Sequence, residues 1–416
     1  MKTLTAPSGL ATRIAGRTSD PAGTPVPRTA RPLLGMLAGL RTGAVQLTLP
    51  DGTALGFGAG EPRAALRLAN WNLFGAVLAR GDIGLAESYI AGDWSTDDLY
   101  AVLDVATANR DTLEQAVYGR WWGRALHRLR HLMNRNSRAG SRRNIHAHYD
   151  LGNDFYALWL DAGMTYSSAL FDGDPDRPLT AAQDAKYQRI LDRLDLAPGA
   201  RVLEVGCGWG GFAERAAATG LDVKGLTLST EQLAWAQRRL GDAGLSARAH
   251  CALQDYRDEH GRYAGIASIE MFEAVGERYW PDYFAMIARC LQPGGRAVIQ
   301  TITIDDALFE RYRRGTDFIQ QYVFPGGMLL SPSRIVAEAG RAGLRLVRAH
   351  TFGADYAVTL RRWLAAFDAG AEAIGARFGV EFVRCWRFYL AYCAAGFATA
   401  TTDVGQYTFE RAASRD

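Results

Sequence analysis

The chain has 416 residues, 48% of them apolar and 22% charged, and a formal net charge of +3. This length suits two domains with a sizeable core, and the composition excludes a disordered or fibrous protein. No apolar run is long enough to cross a bilayer, and no apolar segment follows Lys2 as in a secretory signal.

Residues 1–30 are rich in Thr, Pro, Ala and Arg without hydrophobic period, which predicts a disordered tail. Residues 31–110 predict a small domain. Val45 to Leu49 alternates like a strand, Pro50-Asp51-Gly52 is a turn, and 66–79 and 99–109 have helical period. Residues 111–145 predict a basic linker. From Glu114 to Asp150 no acid intervenes, while Arg120, Arg124, Arg128, Arg130, Arg135, Arg138, Arg142 and Arg143 alternate with Trp121, Trp122 and Leu129. Such a stretch suits an anionic membrane surface, at about 1 kcal/mol per basic residue. A plain solvated linker is the alternative. Nucleic acid is disfavoured, since no nucleic-acid-binding motif accompanies the charge.

Residues 146–416 predict the main domain. Strands are expected at 201–205, 223–228, 265–270, 297–304 and 344–351, with helices at 180–194, 211–219, 230–243 and 282–290. Pro293-Gly294-Gly295 reads as a turn, and 363–397 as mainly helical. Alternating strands and helices predict an α/β, Rossmann-like fold with a mostly parallel sheet. Ligands then bind beyond the carboxyl ends of the strands. Four histidines in the basic stretch lack clustered acids or cysteines, and the five cysteines are scattered. No metal or disulfide framework is expected, and the cysteines suit a reducing cytoplasm.

Val202-Leu203-Glu204-Val205-Gly206-Cys207-Gly208-Trp209-Gly210-Gly211 reads as strand, glycine turn and helix, a nucleotide-type cofactor loop. A nicotinamide enzyme wants an acid at the end of the next strand, to hold a ribose. That end reads Thr227-Leu228-Ser229, with no carboxylate. An NAD-dependent oxidoreductase is therefore the weaker reading.

With His148-Tyr149-Asp150-Leu151-Gly152-Asn153-Asp154-Phe155-Tyr156, this loop resembles the cyclopropane fatty acid synthases, methyltransferases that use S-adenosylmethionine on membrane lipids. The resemblance runs from about Leu66 to the C-terminus and is denser after Asn144. It implies that Glu204, Gly206, Gly208 and Gly210 form the cofactor loop. Thr227, Leu228 and Gln232 would contact the ribose, and Gln254, Asp255 and Tyr256 the adenine. Tyr166 and Ser167 would close over the methionine end. It also implies whole unsaturated phospholipids as substrate, a small N-terminal domain for lipid binding or dimerisation, and a homo-oligomer. An enzyme of this kind sits in the cytoplasm, peripherally on the inner membrane face.

Methyl transfer onto a cis double bond leaves a carbocation, which aromatic faces stabilise without trapping. Candidates are Tyr149, Phe155, Tyr156, Trp159, Tyr166, Phe171, Phe272, Tyr279, Trp280, Tyr322 and Phe324. The resemblance implies a bound bicarbonate as proton acceptor, held by a Cys, a Glu, a His, a backbone group at an Ile, and a Tyr. The matching positions here are Ser168, Glu273, Gln300, Ile302 and Tyr356, so the Cys and His are replaced. Glu273 is expected to orient Tyr356 or the anion. Its change to Gln should abolish turnover but spare cofactor affinity. Closing a ring requires a proton from the delivered methyl, and the altered anchors favour a methyl-branched alkene or methylene over a cyclopropane. Ser268-Ile269-Glu270-Met271-Phe272-Glu273-Ala274 looks like relatives linked to methyl-branched acids. A partner reductase would finish such a product. A lipid-binding pseudoenzyme is the remaining alternative, opposed by the retention of Glu273 and Tyr356.

Overall fold

A computed structural model describes residues 26–117 and 151–412. The predicted tail up to residue 25 and most of the Arg-rich stretch, with Tyr149, lie outside the described residues. The chain divides into two compact units, each described by itself.

Of the described residues, the first unit comprises 26–117, Gly315–Ile319 and Asp368–Thr399. Its sheet holds β1 (Gly43–Thr48), β2 (Ala54–Ala59), β3 (Arg63–Leu68) and β4 (Trp94–Ser95) in the order β2-β1-β3-β4. β1 and β2 form a hairpin across the turn expected at Pro50-Asp51-Gly52, and Asp51 accepts from the backbone of Thr53 at 2.8 Å. The helical period over 66–79 resolves differently. Residues 66–68 complete β3, and the helix is Asn72–Arg80. Leu66 and Leu68 alternate with exposed Arg67, so pairing with β1 overrides local helix propensity.

The unit is also discontinuous, drawing two segments from the 146–416 stretch expected to form the main domain as well as residues of 31–110. Helix Val380–Ala398 packs on helices Leu99–Ala108 and Asp82–Ile90. Arg384 donates to the carbonyls of Tyr89 and Trp94 at 2.7 and 2.8 Å, and Tyr392 donates to Asp82 at 2.9 Å.

The second unit carries seven strands: β5 (Arg201–Val205), β6 (Asp222–Thr227), β7 (Ala249–Leu253), β8 (Tyr263–Ile269), β9 (Leu291–Ile304), β10 (Leu344–Thr351) and β11 (Thr402–Arg411). Their order is β10-β11-β9-β8-β5-β6-β7. β5 to β9 are parallel, while β11 runs antiparallel between β9 and β10. The sequence reading omits β7 and β11, and the Pro293 turn falls inside β9. The α/β class and mostly parallel sheet are as expected.

Period-two alternation along the strands feeds two apolar layers. Leu203, Val205, Ile266, Ala297 and Ile299 face one layer, with helices Trp280–Cys290 and Pro332–Arg341. Val202, Ala267 and Val298 face the other, with helices Leu179–Leu194, Gly211–Ala218 and Thr230–Asp242. Each fully buried Leu, Ile or Val contributes about 2 kcal/mol, so the sheet is a rigid platform. Among the described residues, no helix is long and apolar enough to cross a membrane.

Candidate active site

The glycine loop leaves the carboxyl end of β5. The backbone N–H groups of Gly206 and Cys207 donate to the Leu226 carbonyl at 3.0 and 2.8 Å, tying the loop to β6. Gly206 and Gly208 have φ of 86° and 50°, a region that L side chains disfavour. A Cβ at Gly206 would stand 2.6 Å from the Met271 side chain, whereas one at Gly208 would meet nothing within 4 Å. Gly206 thus serves close packing, and Gly208 leaves an open approach to backbone. Beside it, Glu204 is 2% exposed, and its Oε2 has no partner among the described residues. Burial raises its pKa well above the usual carboxylate range, opposed by a backbone bond from Ala213 and by Lys186 and Arg239. An orphaned buried carboxylate beside open glycine backbone fits a ligand with a cationic amine.

The other expected cofactor residues lie at the same sheet edge. Ser229 caps helix Thr230–Asp242 by accepting from the Gln232 backbone at 3.3 Å, and Thr227 donates to the Gln232 side chain at 2.9 Å. Leu228, between them, is half-buried. The Gln254 backbone donates to the Thr227 carbonyl at 3.0 Å, and Asp255 accepts from Arg257. Tyr256 differs from expectation: its ring belongs to the apolar core, 5.6 Å from that of Tyr283. Ser167 does not face open space either. Its hydroxyl accepts from Lys186 Nζ at 2.6 Å, and its carbonyl accepts from Gln183 at 2.9 Å.

Tyr166 is the centre of an aromatic wall. Its ring centroid lies 5.4 Å from Trp159, 5.5 Å from Trp363 and 5.6 Å from Tyr156. Tyr356 stands edge-on to Trp363 at 6.1 Å, and Phe324 is 6.4 Å from Tyr166. Of the other aromatic candidates, Phe272 and Trp280 are core residues.

The expected anion anchors converge on a different carboxylate. Glu270 Oε1 accepts from the Ser168 backbone N–H and from Gln300 Nε2, both at 2.8 Å. Glu270 Oε2 accepts from the Tyr356 hydroxyl at 2.7 Å. The Ser168 hydroxyl itself turns away, donating to the Ala169 carbonyl. Burial raises the Glu270 pKa, opposed by Lys186 and by these donors.

Glu273, expected to orient Tyr356 or the anion, accepts from the Ile302 backbone at 2.6 Å and the Thr301 hydroxyl at 2.8 Å, and Tyr356 donates to Glu270 instead. Glu273 Oε2 has no partner among the described residues. Burial, then the charge of Glu270, pushes its pKa up to about 7. The expectation of a bicarbonate on these donors therefore meets a physical obstacle. Ser168, Gln300 and Tyr356 already hold a carboxylate of the chain, and Ile302 is bonded to Glu273.

The chain matches a family model described as mycolic acid cyclopropane synthetase over residues 136–407. It is 40% identical, over 88% of both chains, to the tuberculostearic acid methyltransferase UfaA1 of Mycobacterium tuberculosis. It is 35% identical to the cyclopropane-fatty-acyl-phospholipid synthase of Escherichia coli K12, over 85% of this chain and 89% of that one. The chain belongs to the cyclopropane fatty acid synthase family. The structure of the family member MmaA2, from M. tuberculosis, superposes with a TM-score of 0.61 at 31% identity, covering 65% of this chain and 98% of that one. The mycolic acid cyclopropane synthase CmaA1, solved with S-adenosylhomocysteine, gives 0.61 at 32% identity, over 65% of this chain and 98% of that one.

Family members are methyltransferases dependent on S-adenosylmethionine, and the glycine loop, the open side at Gly208 and the orphaned Glu204 oxygen suit that cofactor. The sequence reading misses several site residues of this family member. Glu270 carries a readable signal, since an acid at the carboxyl end of a parallel strand points at the ligand edge. Lys186 lies on the apolar face of its helix, fully buried, where burial lowers its pKa to about 7 against the pull of Glu270, Asp161 and Glu204. Gln406 sits on the unpredicted β11, and Trp363 reads only as the start of a helical run.

Proposed function

We propose that the chain methylates the cis double bond of an unsaturated acyl chain in a membrane phospholipid and releases a methylene-branched chain. Bound S-adenosylmethionine supplies an electrophilic methyl group. The chain's own residues then manage the cation that forms on the lipid. Tyr166 is backed by the buried rings of Tyr156, Trp159 and Trp363, a packed wall that excludes water and whose ring faces, where they meet the lipid, stabilise positive charge. A proton leaves the delivered methyl. The electrons of that C–H bond either close a ring or, after a hydride shifts along the chain, form an exocyclic double bond.

The observation that carries this reading is the meeting of Ser168, Gln300 and Tyr356 on one carboxylate beside the aromatic wall. The Ser and Gln at the altered anchors, and the resemblance to a tuberculostearic acid methyltransferase, favour the non-ring outcome. Bicarbonate, implied by the resemblance, has no place in this reading. A saturated methyl branch needs a separate hydride donor, hence a partner reductase. The Arg-rich stretch would hold the enzyme on anionic headgroups at the cytoplasmic face, and the first unit would bind lipid or a second copy of the chain.

Expression in a bacterium lacking its own synthase tests the reading. Phospholipid acyl chains should gain the mass of one CH2, and their proton spectrum should show exocyclic methylene signals. Unmodified chains would favour a pseudoenzyme, and cyclopropane as sole product would refute the non-ring outcome.

A further inference from the structure

Glu270 is placed as a ligand would be placed. It follows β8 at the carboxyl edge of the sheet, next to β5 and its glycine loop, and the next residue, Met271, packs against Gly206. The residue as a whole is half-buried, while burial of its carboxylate raises its pKa. Its φ of 48° lies in the left-handed region, at a cost of about 1–2 kcal/mol for a residue with a Cβ. The strained backbone aims the carboxylate at three donors: the Ser168 N–H, the Gln300 amide and the Tyr356 hydroxyl. These belong to the set expected to hold a free anion. A second anion there would find its donors engaged and would meet the charge of Glu270.

We propose that Glu270 is the catalytic base of this enzyme, a carboxylate built into the chain where a bound bicarbonate would otherwise act. The proposal rests on the methyl-transfer reading above. Once the lipid carries the new methyl and the cation, a C–H bond of that methyl breaks. The proton goes to a Glu270 oxygen and the electron pair forms the new carbon–carbon bond. Neutral Glu270 then returns its proton to water, so no oxidant or reductant is needed. Tyr356, Gln300 and Ser168 hold the carboxylate in place, and burial makes it a stronger base than a solvated one.

The test uses the full-length enzyme, vesicles of oleoyl phosphatidylglycerol, S-adenosylmethionine and buffer stripped of bicarbonate. Wild type should turn over at the same rate with and without added bicarbonate. Glu270→Gln should lose about 100-fold or more in turnover, with S-adenosylhomocysteine binding by calorimetry unchanged. Glu270→Gly suits the left-handed backbone and opens an anion-sized space. It should bind ¹³C-labelled bicarbonate, seen as line broadening that wild type lacks, and regain turnover with bicarbonate or formate. A wild-type rate that collapses without bicarbonate, or a Glu270→Gln enzyme that keeps most of its turnover, would overturn the proposal. Wild type that makes no methylated lipid under any condition would bring down the methyl-transfer reading and this one with it.

Discussion

Gln406 donates its side-chain amide to Gln300 Oε1 at 3.0 Å and to the Lys186 carbonyl at 3.3 Å. A backbone carbonyl only accepts, so Gln406 must present its NH2 group inward. Gln300 then offers its oxygen to Gln406 and its NH2 group to Glu270, which also only accepts. Gln406→Leu should free Gln300 to turn its oxygen toward Glu270. One lost hydrogen bond of about 1 kcal/mol predicts a kcat about fivefold lower. KM for vesicles and cofactor should hold, because Gln406 is a positioning residue. Steady-state kinetics on the variant separates the two constants.

Glu273→Gln should cost far less turnover than Glu270→Gln. The amide oxygen of Gln still accepts from Ile302 and Thr301, and its NH2 group replaces an oxygen that has no partner among the described residues. This revises the expectation drawn from sequence, in which Glu273 orients Tyr356 or the anion and its change to Gln abolishes turnover. Parallel rates for the two variants decide it, and equal losses would return Glu273 to the central role.

Glu273 and Lys186 should leave opposite marks on stability against pH. The folded pKa of Glu273 is raised from 4.5 to about 7. Between those values the folded state holds the extra proton, so this group's contribution falls as pH rises. The folded pKa of Lys186 is lowered from 10.5 to about 7. Between pH 7 and 10.5 the unfolded state holds the extra proton, so its contribution grows with pH. Urea titrations across this range should show the first slope flattened in Glu273→Gln and the second in Lys186→Met.

The two glycines of the loop should separate folding from binding. Gly206→Ala places a Cβ against Met271 and should lower the urea midpoint markedly. Gly208→Ala meets no protein atom and should cost only about 1 kcal/mol of backbone strain. It should nevertheless weaken S-adenosylhomocysteine binding about tenfold or more, by blocking the close backbone approach that Gly208 allows. Calorimetry and unfolding on both variants check the split.

Trp363 contributes a ring face or edge to both Tyr166 and Tyr356. A desolvated cation–π contact of about 2 kcal/mol predicts a kcat roughly 30-fold lower in Trp363→Leu. Trp363→Phe should recover most of it, more than its small gain in volume over Leu accounts for.

The sheet was legible because parallel strands buried on both faces leave apolar runs between glycine turns, as at 201–206. β11 was not, since Thr402–Arg411 mixes Asp403, Gln406 and Glu410 with its apolar residues and gains strand character from pairing with β9 and β10. The anchors Ser168, Gln300 and Tyr356 were found by resemblance, and they do meet in space. What they meet was hidden, because Glu270 reads as the end of a strand until folding turns its carboxylate onto them. Lys186 was hidden for a related reason. A lysine in an amphipathic helix reads as a solvated charge, and only the buried Gln183 and Ser167 show otherwise.

The most direct measurement feeds methyl-deuterated methionine to a bacterium lacking its own synthase and expressing this chain, then weighs the modified acyl chains. A base held at Glu270 beside the arriving methyl predicts that two of the three deuteriums remain. Retention of all three would mean that the proton came from the lipid chain, contradicting the account, and an absence of label would contradict methyl transfer itself.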